Sequence, residues 1–155
     1  PIFKVVNPDG IRPLPVGIWD KVKSVRSIVY EAIRELSPPQ LSFVFTIELF
    51  ESSAGDQQAF IDLEQLAGSR GALFVPVRLL CDVEELCRRV IDPARVEMIK
   101  SIDPELARTK SAEQGVLTSS HPHTLTIDVT TKSARDTAET ILGNIEKLTN
   151  KAEEN

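Results

Sequence analysis

Arg88, Arg89, Arg95 and Lys100 follow one another along a short stretch of the chain. Planar guanidinium groups meet phosphate oxygens bidentately, and arginines at a helix end and in the loop beyond it can close over a polyphosphate. A second reading stands beside this one. Glu84–Arg88 and Glu85–Arg89 are both spaced i, i+4 in the favourable orientation, which is worth only about 0.2–0.5 kcal/mol per pair on a solvated helix face. Phosphate site and salt-bridged surface are both open at this point.

Other candidates are fewer. Asp128-Val129-Thr130-Thr131-Lys132 follows a strand-like run, where a parallel sheet presents ligands at its carboxyl edge. Its hydroxyls and amides suit a base or ribose, or else Asp128 caps a strand-to-helix turn. Glu48, at the end of another apolar run, is placed for a metal or general-base role, or for solvation at the same edge. His121 and His123 flank Pro122 with no Cys or carboxylate at a ligand spacing, so they read as loop residues and no protein metal site is expected. No Gly-x-Ser-x-Gly, Cys/His pairing or paired-carboxylate pattern stands out.

The elements that must position these residues follow from periodicity. Val22, Val25, Val29, Ala32, Ile33 and Leu36 recur at helical spacing after Asp20, a plausible cap, and Ser37-Pro38-Pro39 stops them. Leu41–Leu49 (LSFVFTIEL) reads as a buried strand. Ala59, Phe60, Leu63, Leu66 and Ala67 mark a helix after Asp56, stopped by Gly68-Ser69-Arg70-Gly71. Leu73–Cys81 reads as the second strand, although Pro76 removes a ladder hydrogen bond from it. Val83, Leu86, Cys87, Val90 and Ile91 then give a helical core stripe.

Residues 92–122 carry many charges and little apolar pattern, as a lid-like functional loop does, with a helical piece over Pro104–Lys110. His123–Val129 reads as the third strand. Ser133 and Asp136 resemble a capping box ahead of a last helix bearing Ala138, Ile141, Leu142, Ile145 and Leu148. Strands and helices alternating over short connections predict an α/β fold with a parallel sheet.

The 155 residues suit one domain, with 41% hydrophobic and 26% charged residues, ordinary for a globular protein. A net charge of −5 argues against a general nucleic-acid or membrane-surface binder, which needs a basic face. Cys81 and Cys87 both lie on apolar positions and read as buried thiols, which favours a cytoplasmic address. The chain opens with Pro1 and its one methionine is Met98, so a processed chain or a fragment is expected.

Taken in order, LSFVFTIEL, the Arg70–Val90 segment RGALFVPVRLLCDVEELCRRV, the DPAR and Lys100 that follow, and HTLTIDVTTKSARDTAETI resemble the small P-loop kinases. These are the group around shikimate, gluconate and adenylate kinases, together with AAA-type ATP-binding kinase-like proteins. The resemblance covers Leu41 to Leu148. It implies a three-layer α/β/α parallel sheet, of which this chain holds the third, fourth and fifth strands with an arginine-bearing lid between the last two.

By the same resemblance the chain is a single partial kinase-like domain over residues 1–155. Arg89 and Arg95 would be catalytic lid residues and Arg88 and Lys100 would meet ATP phosphates. Thr130, Thr131 and Lys132 would lie near the adenine, and Arg12 or Trp19 would touch the acceptor. The implied reaction is transfer of the γ-phosphoryl group of ATP, with Mg²⁺, to a hydroxyl on a small molecule. One departure is decisive. A Walker A loop, G-x-x-x-x-G-K-[ST], needs a Gly-Lys pair, and no glycine here is followed by lysine. The first strand and its phosphate loop would precede Pro1, so an N-terminally truncated chain, inactive alone, is expected. The alternative is a degenerate, non-catalytic interaction or regulatory module. An unpaired strand edge would favour association.

Overall fold

The computed structural model describes residues 2–98 and 100–153, with the side chains of residues 152 and 153 left aside. Among the described residues it contains seven helices and two strands: α1 (Ile2–Val6), α2 (Ile18–Leu36), α3 (Ala54–Ser69), β1 (Val77–Leu80), α4 (Val83–Val90), α5 (Ala94–Glu97), α6 (Pro104–Glu113), β2 (Leu125–Asp128) and α7 (Ala134–Glu153). The expected three-layer α/β/α sheet is therefore overturned: the chain is mostly helical, and among the described residues its strands form a single two-stranded sheet. The chain divides into two compact units, one of Pro1–Phe45 with Val83–Ser111, the other of Thr46–Asp82 with Ala112–Asn155.

In the first unit, α2 buries Ile18, Tyr30 and Ile33, and the Tyr30 ring meets Phe45 edge-on at 5.6 Å. The helix starts one turn earlier than Asp20 suggests, on Gly17 at φ 79° without a side-chain cap. Val29 and Leu36, expected in its core stripe, are exposed, and Tyr30 takes their place. On α4 the stripe holds through Cys87 and Val90, both buried, and ends there with Ile91 exposed. The Cys87 thiol donates to the Pro104 carbonyl at 3.4 Å, joining α4 to the start of α6.

In the second unit, α3 buries Ala59, Leu63 and Leu66, the face its spacing predicts. Ser53, rather than Asp56, caps its start by accepting the Asp56 amide, while the Asp56 carboxylate accepts from the Phe50 amide at 3.0 Å. At its end Gly71 sits at φ 61°. Its amide donates to Gly68 and the Ala72 amide to Ala67, the Schellman pattern, for which a glycine is the strain-free residue.

β1 and β2 pair in parallel, Val77 with Leu125 through Leu80 with Asp128. β1 is shorter than the apolar run Leu73–Cys81 because it begins directly after Pro76, which has no amide to donate but whose carbonyl accepts from Leu125 at 2.9 Å. α7 packs on β2 through a face shifted from the expected one. Thr137 is buried and Ile141, Ile145 and Leu148 half-buried, while Ala138 and Leu142 are exposed.

The largest departure is Leu41–Leu49, no residue of which lies in a strand. The run carries no regular secondary structure and passes from one unit to the other between Phe45 and Thr46. At its near end the Leu41 amide donates to the Pro38 carbonyl at 3.1 Å, and at its far end Leu49 accepts from Leu117 and Phe50 bridges Val116 in antiparallel sense. Strand-forming residues make a strand only beside a second one, and no described element offers one here.

Candidate functional site

The arginine segment starts at α4, whose first turn carries Glu84 and Glu85 and whose last turn carries Arg88 and Arg89. Glu85 holds both arginines. Arg88 donates to its two oxygens at 2.7 Å each, and Arg89 donates from Nε to Oε1 at 2.6 Å. The Glu85 side chain is only 19% exposed, against 71% for Arg88, so the carboxylate lies inside and the guanidinium fork outside. The Arg88 bond, then the Arg89 bond, pulls the Glu85 carboxyl from its usual 4.5 down to about 2. Glu84 reaches across to Arg108 on α6, 24 residues on, which lowers its carboxyl as well. Helical spacing pairs Glu85 with Arg89 but gives no signal for Arg108, which lies 24 residues beyond its partner Glu84.

Beyond α4 the loop closes on itself. Arg95 Nε donates to the Ser101 carbonyl at 3.0 Å while the Arg95 carbonyl accepts from the Lys100 amide at 3.0 Å. The Lys100 side chain is exposed. The N-terminal turn seats against this loop, with Gly10 accepting the Ile102 amide at 3.3 Å. The structure therefore brings Arg88 and Arg89 together on one carboxylate and ties Arg95 and Lys100 into a separate short loop of the same unit.

Thr130, Thr131 and Lys132 belong to the other unit, after β2. Thr130 is committed locally: its hydroxyl donates to Asp128 at 2.6 Å and accepts the Asp82 amide at 2.9 Å, stitching the two strand ends. The Thr130 hydroxyl, and after it the Thr130 amide, which also donates to Asp128 at 2.9 Å, lower the Asp128 carboxyl. Thr131 and Lys132 are exposed at the turn into α7. Arg12 is paired with Asp9, Trp19 packs edge-on against Phe3 at 6.1 Å, and Glu48 is exposed on the extended run.

Two guanidinium groups on one partly buried carboxylate form a ready anion-binding arrangement already filled by the protein's own anion. Among the described residues no three His, Cys, Asp or Glu side chains are grouped to hold a metal. No protein-family model, curated protein or solved structure gives a significant match to the chain.

Proposed function

We propose that this chain carries the arginine-bearing, phosphate-contacting part of an ATP-dependent small-molecule kinase and cannot transfer phosphate by itself. The observation that supports it is the convergence of Arg88 and Arg89 on the one Glu85 carboxylate within the first unit. Planar guanidinium groups so arranged can take up phosphate oxygens in place of a carboxylate. In this reading Arg88 and Arg89 exchange the Glu85 carboxylate for phosphate oxygens, and Arg95 leaves the Ser101 carbonyl to join them. Without a Gly-Lys phosphate loop among the 155 residues there is nothing to hold the β- and γ-phosphates in line for transfer.

The test is the thermal midpoint of the chain with and without ATP, followed by R89A and R95A. A ligand that binds only the folded state must raise the midpoint. The reading expects a rise with ATP that both variants diminish, with no transfer to any hydroxyl acceptor. No rise with ATP, or a rise indifferent to both substitutions, overturns it.

A second reading, a non-catalytic interaction module, is favoured by one observation: Leu41, Val44 and Ile47 stand 51%, 94% and 43% exposed on the extended run. Exposed apolar side chains on a run outside any strand ladder suit a partner strand. An absent ATP effect together with concentration-dependent association weakened by V44K would select this reading.

A further inference from the structure

We propose that the cleft between α3 and residues 117–122 binds a small apolar molecule carrying one hydroxyl group, with the hydroxyl held between His121 and Glu64. The cleft lies within the second unit, is open to solvent, and has a volume of about 430 Å³, within the usual range for small-molecule sites. Phe60 and Ile61 from α3, with Leu117 and Pro122 opposite, supply an apolar wall. His121 and Glu64 are the charged or titratable groups on it.

The His121 ring is held in place from several directions. The His123 amide donates to Nδ1 at 3.2 Å, and the rings of Phe74 and His123 meet it edge-on at 5.3 and 5.1 Å. Its own amide donates to the Ser119 hydroxyl at 3.0 Å, and its carbonyl accepts from Thr124 at 3.0 Å, so the turn around Pro122 is closed on both sides. The side chain is 15% exposed. Because Nδ1 is an acceptor, the neutral ring carries its proton on Nε2.

That Nε2 faces Glu64 Oε1 at 4.0 Å. The separation is too long for a direct hydrogen bond and suits one intervening oxygen: an atom about 2.8 Å from each would see the two at roughly 90°. Such an oxygen must accept from Nε2–H and donate to the carboxylate. A hydroxyl does both, a carbonyl or ether cannot donate, an ammonium cannot accept, and an anion meets Glu64 head-on. With Nδ1 bound to backbone and Nε2 turned to Glu64, neither nitrogen is left to deprotonate Ser119 or Ser120. The cleft binds; it is not a serine hydrolase site. This inference is independent of the nucleotide reading.

The experiment is an amide NMR titration of the full chain with 4-methylphenol, toluene and 4-methylanisole. Two hydrogen bonds, one to a carboxylate, lead us to expect saturable shifts in α3 and residues 117–123, with 4-methylphenol binding about ten-fold or more tightly than the other two. E64A, at a side chain 46% exposed, should keep a folded spectrum and lose that preference. H121F should do the same while retaining the apolar wall. Equal affinity for the three probes, a preference that survives both substitutions, or no saturable shift up to the solubility limit overturns the proposal and leaves the gap to water.

Discussion

Gly10 lies so close to Lys100 that a β-carbon on it would stand 2.8 Å from the Lys100 carbonyl oxygen, and its φ is 78°. A backbone atom cannot swing aside as a side-chain end can. The turn Asn7-Pro8-Asp9-Gly10 is thus seated on the Arg95–Ile102 loop by the absence of a side chain, and Asp9 completes it by accepting the amides of Ile11 and Arg12.

Gly17 supplies the control for that contact, having φ 79° with nothing near its missing β-carbon. G17A should cost only the left-handed backbone penalty, about 1–2 kcal/mol. G10A should cost that and roughly 1–2 kcal/mol more from the carbonyl contact. Urea unfolding of both variants measures the difference; equal destabilisation would show that the turn does not sit on the loop.

Glu85 makes stability depend on acid. Its carboxyl lies at about 2 in the folded chain against an ordinary 4.5, so its contribution is present in full above 4.5. As pH falls the unfolded chain takes up the proton first, and the contribution drains away between 4.5 and about 2. Carboxyl ¹³C titration should place the Glu85 midpoint near the lower value and return it toward the ordinary one in the R88A/R89A double variant. E85Q should flatten the stability profile in that window. If Arg88 and Arg89 serve phosphate, E85Q should also strengthen tripolyphosphate binding.

Ser133 and Asp136 cap each other. The Asp136 amide donates to the Ser133 hydroxyl at 3.1 Å, and the Ser133 hydroxyl and amide donate to the Asp136 carboxylate at 2.6 and 3.3 Å. S133A should cost about 1 kcal/mol at the head of α7. Because D136A removes the same reciprocal bonds, the double variant should cost less than the sum of the two. Thermal midpoints of the three variants test this.

Hydrogen exchange should separate the two strand-like runs. The amides of Val44, Phe45, Thr46 and Ile47 have no partner in a ladder and should exchange as a loop does, while those of β2 should be protected. V44K, at a side chain 94% exposed, should leave the unfolding midpoint within about 0.5 kcal/mol of the parent. Protection across 44–47 equal to that of β2 would show a partner strand in solution.

The legible parts of this protein are the local ones. The buried face of α3, the stripe of α4 through Val90, the reciprocal cap at Ser133 and Asp136, and the glycine stop at Gly71 each depend on residues within a turn or two. Helical spacing and capping hydrogen bonds act over that range, so the sequence alone determines them. Pro76, inside the strand that the apolar run predicts, instead precedes its first residue, Val77.

Tertiary structure decided the rest. Leu41–Leu49 has every local mark of a strand and yet none of it lies in one, because a ladder needs a neighbour and no stretch of sequence names its own. Glu84 reaches to Arg108, and His121 faces Glu64 across a gap that one oxygen would fill. Each of these contacts joins residues far apart along the chain. Their meeting depends on how whole elements pack, where the entropy of closing a long loop is set against the few bonds gained at its ends.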